Sequence, residues 1–468
     1  MSTAPDSLSA AGPGVDDRLD QAVIAAADAA QESMRADLLG LVGQQAAVVA
    51  AAPAGAGKSQ FVAATVGRLM AAGLRVALAA PTNDQVQSLV ARVKQLNPDV
   101  PVAFVHGLGK ELPTAIAALP GVTQPSAADA RRQGDPLVIA TIDKLADAYL
   151  RNGLGGFDVL VIDEAYQADA ARYYTAAAVA PTHLLVGDIG QLDPFSTLDD
   201  ATFWRGGPED PLQTAVGVLL RNHPSTPVHQ IPVTWRLSPL AVPVARCFYP
   251  GHPFEAAVLP GVRSLRLTRP GPGSQVLAPV DAALDEAVRS GWAHVTLPGA
   301  PVLRADPATA VLIRELVHRL LARSAQVRCE NRPGFAALQP SEIAVGVSHH
   351  DEKDLLRALL DSYGLPGVRV DTANRLQGLT FEVVVAWHPL AGAAVTDAFH
   401  LDPGRLCVLL TRHRQACIVV GRDSDRALLE GVPPATPGFL GWDPDPVLDG
   451  WDAHESVFRL LESHVIAA

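Results

Sequence analysis

At 468 residues the chain exceeds what one hydrophobic core supports, since single cores stop growing at about 250–300 residues, and two principal domains are expected. Apolar residues make up 48% and charged residues 18%, a balance that excludes wholesale disorder and supplies ample material for buried sheets. A net charge of −12 and a pI near 5.6 argue against a broadly basic surface that coats nucleic acid.

Residues 1–18 are rich in Ser, Pro, Gly and Asp, and an alanine-rich helical stretch follows through Val42. The apolar run 46–53 reads as a buried strand; it leads into APAGAGKS and then into FVAATVGRLMAAG, whose spacing suits a helix closed by Gly73. Strand-like runs recur at 74–81, 136–141, 157–163 and 182–188, alternating with helical segments such as NDQVQSLVARVKQL. Continuous apolar strands separated by helices indicate a parallel sheet covered on both faces. A second series, 343–348, 368–373, 383–388 and 416–421, begins after Val233, with helices over DEKDLLRALLDSYG and near Arg405–Thr411.

The fold class expected is therefore α/β, with two doubly wound parallel-sheet domains. The expected divisions are an N-terminal extension over 1–35, a first domain over 36–232, a second over 233–425 and a tail over 426–468. Within the second domain, the Pro/Gly-rich stretch 250–340 holds one clear helical pattern, 310–322, and is expected to be an irregular insertion. The tail breaks regular structure before a last helix over ESVFRLLESHV.

The four cysteines, Cys247, Cys329, Cys407 and Cys417, form no CxxC pair and no zinc-spaced cluster with histidine, so reduced thiols in a cytoplasmic protein are expected. No apolar run reaches membrane-spanning length, and no membrane partner is expected.

Ala52-Pro-Ala-Gly-Ala-Gly-Lys58-Ser59 fits a Walker A loop between strand and helix. The small residues Ala54, Gly55, Ala56 and Gly57 let successive backbone N–H groups face phosphates, Lys58 reaches the β/γ oxygens, and Ser59 offers a hydroxyl to Mg²⁺. FDVLVIDEAYQ ends a buried strand in two adjacent carboxylates that diverge at the strand tip. Asp163 is assigned to the metal and Glu164 to the attacking water.

The DEAYQ element resembles the DEAxQ motif of the superfamily 1 helicase branch that includes the nonsense-mediated-decay helicase. Other elements are similar in the same order. Gly187-Asp-Ile-Gly-Gln191-Leu-Asp-Pro194 resembles GDxxQLxP, whose Gln senses the γ-phosphate; Thr234-Trp-Arg236-Leu-Ser-Pro239 resembles QYRxxP, which opens the second domain. Val370-Asp-Thr-Ala-Asn-Arg-Leu-Gln377-Gly378 resembles VDxxQG, and Arg405-Leu-Cys-Val-Leu-Leu-Thr411-Arg412 resembles the element whose final Arg is the arginine finger. The resemblance implies two RecA-like domains with the ATP site in the cleft between them, and roles for Gln191, Arg236, Gly378 and Arg412 at the nucleotide. Thr234 and Thr380 depart from the family, which has Gln and Glu there.

The resemblance also implies nucleic-acid contacts at Thr82 and Asn83 after the second strand, at Thr141 after the third, and at Thr372 in the second domain. Hydroxyl and amide groups of this kind grip phosphates without a basic surface, which reconciles the ligand with the acidic pI; Thr82 and Thr141 can equally cap helices. The implied function is an ATP-dependent helicase or translocase on single-stranded DNA or RNA, moving 5′ to 3′. Relatives insert a subdomain where this chain has only 97–136, which favours translocation over unwinding. The alternative is a P-loop ATPase switch or scaffold that controls a protein partner through 250–340 or the tail.

Overall fold

The apolar runs of the first half become the strands of one parallel sheet. They are β1 (Ala46–Ala51), β2 (Val76–Ala80), β3 (Val102–Phe104), β4 (Val122–Thr123), β5 (Leu137–Thr141), β6 (Val159–Ile162), β7 (Thr182–Gly187) and β8 (Val228–Gln230). The computed structural model describes residues 16–107, 109–192, 213–271, 277–299, 305–432 and 450–468. These divide into two units, residues 26–232 on one side and 16–25, 233–432 and 450–468 on the other.

In the first unit the strand order is β4-β3-β5-β2-β6-β7-β1-β8, every pair parallel. Alternate residues of each strand face opposite layers, because side chains on a pleated strand alternate. Val48, Ala50 and Leu78 pack beneath α1 (Gln21–Leu41), α2 (Lys58–Ala71) and α3 (Asn83–Leu96), through Met34, Leu38, Val62, Val66 and Val90. Ala47, Val49 and Ala77 pack against the helices Ile142–Asn152, Ala170–Ala177 and Ala215–Asn222. A sheet buried on both faces explains why its strands are unbroken apolar runs. The short strands β3 and β4, the latter at the sheet edge, lie within 97–136, where the sequence pattern gives no strand.

The second unit contains β9 (Val233–Thr234), β10 (Glu255–Ala256), β11 (Ser264–Leu267), β12 (Trp292–Leu297), β13 (Ala325–Cys329), β14 (Arg332–Ala337), β15 (Ile343–Val347), β16 (Arg369–Thr372), β17 (Phe381–Trp387), β18 (His413–Arg422) and β19 (Val465–Ala467). Its main sheet is again parallel, in the order β16-β15-β17-β18-β12-β19. Both units are thus doubly wound α/β folds of the RecA-like kind, as expected.

The stretch 250–340 is not an irregular insertion. It supplies β12, an inner strand of the main sheet, the helices Ala278–Ser290 and Pro307–Ala322, and an antiparallel sheet ordered β11-β13-β14. WAHVTL is only partly apolar, yet all but its last residue are buried, because its neighbours on both sides, β18 and β19, come from distant parts of the chain. The tail likewise contributes β19 and the helix Gly450–Leu461, which buries His454, Val457 and Phe458.

Candidate nucleotide and nucleic-acid sites

Parallel strands place all their carboxyl ends on one edge, so the strand order of the first unit dictates which loops meet. Along that edge the order β5-β2-β6-β7-β1 sets Thr141, Thr82, Asp163-Glu164, Gly187-Asp188 and the glycine loop side by side.

The glycine loop turns through Gly55 (φ +78°) and Gly57 (φ +80°), left-handed conformations that glycine adopts without steric cost. Gly57 caps α2, and Lys58 is its first residue. Successive N–H groups at such a helix start form a concave site for anions.

Lys58 Nζ donates to Asp188 Oδ2 at 3.2 Å and lies 3.7 Å from Glu164 Oε1. Burial opposes its charge, but the carboxylates of Asp188, Glu164 and Asp163 outweigh that effect and raise its pKa. Asp188 is the residue that sequence reasoning passed over. Its side chain is fully buried, and it accepts from Lys58, from Gln191 Nε2 and, through Oδ1, from Gly190 N at 3.1 Å. Its strand, β7, lies between β1 and β6, so a carboxylate at its tip necessarily falls between Lys58 and Asp163-Glu164. The adjacent Gly187 has to be glycine: a Cβ there would sit 2.6 Å from Tyr166 Cδ2 and 3.0 Å from Tyr166 N.

Ser59 Oγ donates to Asp163 Oδ2 at 3.4 Å, so the two oxygen ligands assigned to Mg²⁺ lie within reach of a single ion and suit its preference for hard donors. The Asp163 carboxyl is pushed up to about 7, first by burial and then by the neighbouring charge of Glu164, with Lys58 opposing. A cation here would relieve that cost.

Glu164 adopts φ +56°, an unfavourable region for a residue with a side chain, at a cost on the order of 1–3 kcal/mol. Three backbone N–H donors hold it, one to a side chain and two to carbonyls: Glu164 N to Asp163 Oδ1 at 3.0 Å, Ala165 N to Val186 O at 2.8 Å, and Gln167 N to Glu164 O at 2.9 Å. Its carboxylate Oε2 accepts from Gln167 Nε2 at 3.0 Å, leaving Oε1 on the Lys58 side.

Thr82 is exposed and caps α3, accepting from Gln85 N at 3.4 Å, and Thr141 caps Ile142–Asn152, accepting from Lys144 N at 3.2 Å. A hydroxyl that accepts in a cap keeps its proton for another acceptor, so capping and a phosphate contact are compatible. Asn83 opens α3 beside Thr82.

In the second unit, Arg236 Nε donates to Thr380 Oγ1 at 2.9 Å and its Nη1 to Thr411 O at 3.2 Å. Three elements that are far apart in sequence thus meet, and the two departures from the family have structural roles: Thr380 holds Arg236, and the buried Thr234 accepts from Leu237 N at 3.3 Å. Arg412 is completely buried; Nη2 donates to Thr411 Oγ1 at 3.0 Å, while Nε and Nη1 have no hydrogen-bond partner among the described residues. A buried guanidinium with open donors is costly and suited to an anion. Next to it the His413 ring is held down to about 3, by burial and then by the charges of Arg236, Arg263 and Arg412. Gly378 (φ +79°) has open space where a Cβ would project.

Arg263, from the stretch expected to be irregular, fixes this group. It pairs with Glu330 at 2.6 Å in a buried salt bridge and donates to the backbone carbonyls of Trp235 and Arg236. Thr372 is not part of that group, since it is buried at the carboxyl end of β16, whereas Thr380 and Arg412 precede the amino ends of β17 and β18. His349 stacks on Phe399 at 4.8 Å, and the neighbouring His350 is exposed. Pro194, the end of GDxxQLxP, lies outside the described residues.

Residues 27–197 match the family described as "AAA domain". The matched segment contains the glycine loop, Asp163-Glu164 and Gln191. No curated protein matches the chain. Among solved structures, it is similar to the arterivirus nonstructural protein 10 helicase in complex with DNA, with 14% identity, TM-score 0.44, and 82% of this chain and 63% of that one covered. The PRRSV helicase aligns at 15% identity and TM-score 0.40, covering 88% and 58%. The Escherichia coli DEAH/RHA helicase HrpB aligns at 13% identity and TM-score 0.42, covering 92% and 50%. The chain therefore spans 50–63% of the length of these three proteins. Among the described residues no helix is long and apolar enough to cross a membrane.

Proposed function

We propose that the chain is an ATPase that translocates along single-stranded nucleic acid, of the superfamily 1 kind and the DEAxQ branch. The observation that carries this reading is the edge of the first sheet. There a glycine nest, one lysine, and a carboxylate held in a strained conformation stand beside two hydroxyl-bearing strand ends, Thr82 and Thr141.

Lys58 and the backbone N–H groups of 54–59 would hold the β/γ-phosphates, the ammonium exchanging Asp188 for phosphate oxygens. Mg²⁺, held by Ser59 and Asp163, would neutralise charge on those oxygens. Glu164 orients the attacking water with Oε1, and Gln191, tied to Asp188, reports the γ-phosphate. The assignment of Arg236, Gly378 and Arg412 to the same reaction is supported by motif order and by the open donors of Arg412. Thr82, Asn83 and Thr141 grip the strand, with Thr372 a weaker candidate because it is buried.

The test is steady-state ATP turnover with and without mixed-sequence single-stranded DNA and RNA at low and moderate salt. Turnover is expected to rise several-fold with at least one of them. If neither binds nor changes the rate, the reading fails and a switch acting on a protein partner takes its place.

A further inference from the structure

Two side chains in the first unit form a chain between the Thr82 grip and Glu164, and no role has yet been assigned to them. Thr82 N donates to Gln85 Oε1 at 3.0 Å, Gln85 Nε2 donates to Gln167 Oε1 at 3.1 Å, and Gln167 Nε2 donates to Glu164 Oε2 at 3.0 Å. An amide side chain has an acceptor end and a donor end that are hard to tell apart by shape, so its orientation has to follow from its partners. Here both ends of the chain are unambiguous. A backbone N–H can only donate and an ionised carboxylate can only accept, so each carboxamide has one orientation that satisfies both neighbours. The link also follows from topology: β2 and β6 are neighbours, and Gln85 and Gln167 sit in the first turns after their tips.

We infer that Gln85 and Gln167 are positioning residues that transmit the state of the Thr82 grip to the water-orienting carboxylate, an inference that rests on the nucleic-acid-stimulated ATPase reading above. Gln167 fixes Oε2 and so turns Oε1 toward Lys58 and the phosphate side. Gln85 fixes Gln167. A strand phosphate at the Thr82 hydroxyl stiffens the capping box formed by Thr82 and Gln85, and with it the whole chain. Stimulation by nucleic acid is then in part an increase in the fraction of time that Glu164 is aligned.

The experiment uses the full chain with ATP and a mixed-sequence single-stranded oligonucleotide. Gln167→Leu should lower basal kcat about tenfold, while KM for ATP stays within about twofold, because the lost contact orients the carboxylate and does not touch the nucleotide. Gln85→Leu should lower kcat less and remove most of the stimulation while retaining oligonucleotide affinity. Gln167→Glu keeps length and acceptor but cannot donate to Glu164, so it should fail to rescue. Since the contacts act in series, the Gln85→Leu/Gln167→Leu double variant should be no slower than Gln167→Leu. Wild-type kcat and stimulation in Gln85→Leu, or multiplied losses in the double variant, would overturn the inference. A wild-type protein that no single strand stimulates overturns the earlier reading instead, and the relay is then decided by the basal kcat of the same variants.

Discussion

The carboxyl edge of the first sheet and the arginine group of the second unit are built on opposite principles. In the first, one cation, Lys58, opens a helix and is surrounded by Asp188, Glu164 and Asp163, carboxylates that follow the tips of β7 and β6. In the second, Arg236, Arg263 and Arg412 crowd one region, and two of them are held by partners remote in sequence, Arg236 by Thr380 and Thr411 and Arg263 by Glu330, 67 residues away, while Arg412 donates to the adjacent Thr411. Lys58, Asp163 and Glu164 are placed by their own loops and are visible in the sequence, whereas Arg263 is placed by a distant partner and is not.

The largest effects should come from removing one cation from each group. Lys58→Ala should abolish hydrolysis and weaken nucleotide binding. Arg412→Ala should spare binding and lower kcat by on the order of 10³-fold, as for a guanidinium that acts on the transition state. Nucleotide titration alongside phosphate release separates the two. If Arg412→Ala weakens binding as much as turnover, its buried guanidinium is a structural group.

A smaller effect should distinguish how the groups are supported. Arg263→Ala leaves Glu330 buried without its partner and should destabilise the second unit by about 3–5 kcal/mol, the usual consequence of breaking a buried pair. Urea unfolding followed by tryptophan fluorescence suits this test, because four of the six tryptophans, Trp235, Trp292, Trp387 and Trp451, lie in that unit. A loss below about 1 kcal/mol would mean the pair behaves as a surface salt bridge.

The smallest effect concerns acid. In the second unit burial lowers His294 to about 4, His454 and His413 to about 3, and His388 well below its ordinary value. A histidine whose folded pKa is depressed keeps its full contribution above the unfolded value of about 6.5 and loses it as the pH falls, since the unfolded chain takes up the proton first. Glu352 and Asp425, both raised to about 7 by burial, work in the opposite sense between about pH 7 and 4. Four histidines against two carboxyls leave a net loss. The first unit sets His183, lowered, against Asp163, raised to about 7, and should change little. Melting curves between pH 7 and about 4.5 should therefore show the tryptophan-reported transition moving down in temperature more than the transition of the first unit; equal shifts would count against the difference.

The glycine loop, the paired carboxylates and the first parallel sheet were legible in the chain because each depends on neighbours within a few residues. Gly55 and Gly57 turn a loop, Lys58 opens a helix, and Asp163 ends an apolar strand, all short-range consequences of residue type. The role of Asp188 depended on strand order, which adjacent residues do not encode: only the placement of β7 between β1 and β6 brings its carboxylate to Lys58. The regular structure of 250–340 is hidden from its local sequence for the same reason. WAHVTL becomes an inner strand because 413–422 and 465–467 flank it, and Arg263 matters because Glu330 folds back to it. Local chemistry, set by dihedral preference and hydrophobic period, was decided by the sequence itself. Which tips and which charges meet was decided only by tertiary packing, because burial supplies the partners that a charged or half-polar segment lacks in its own neighbourhood.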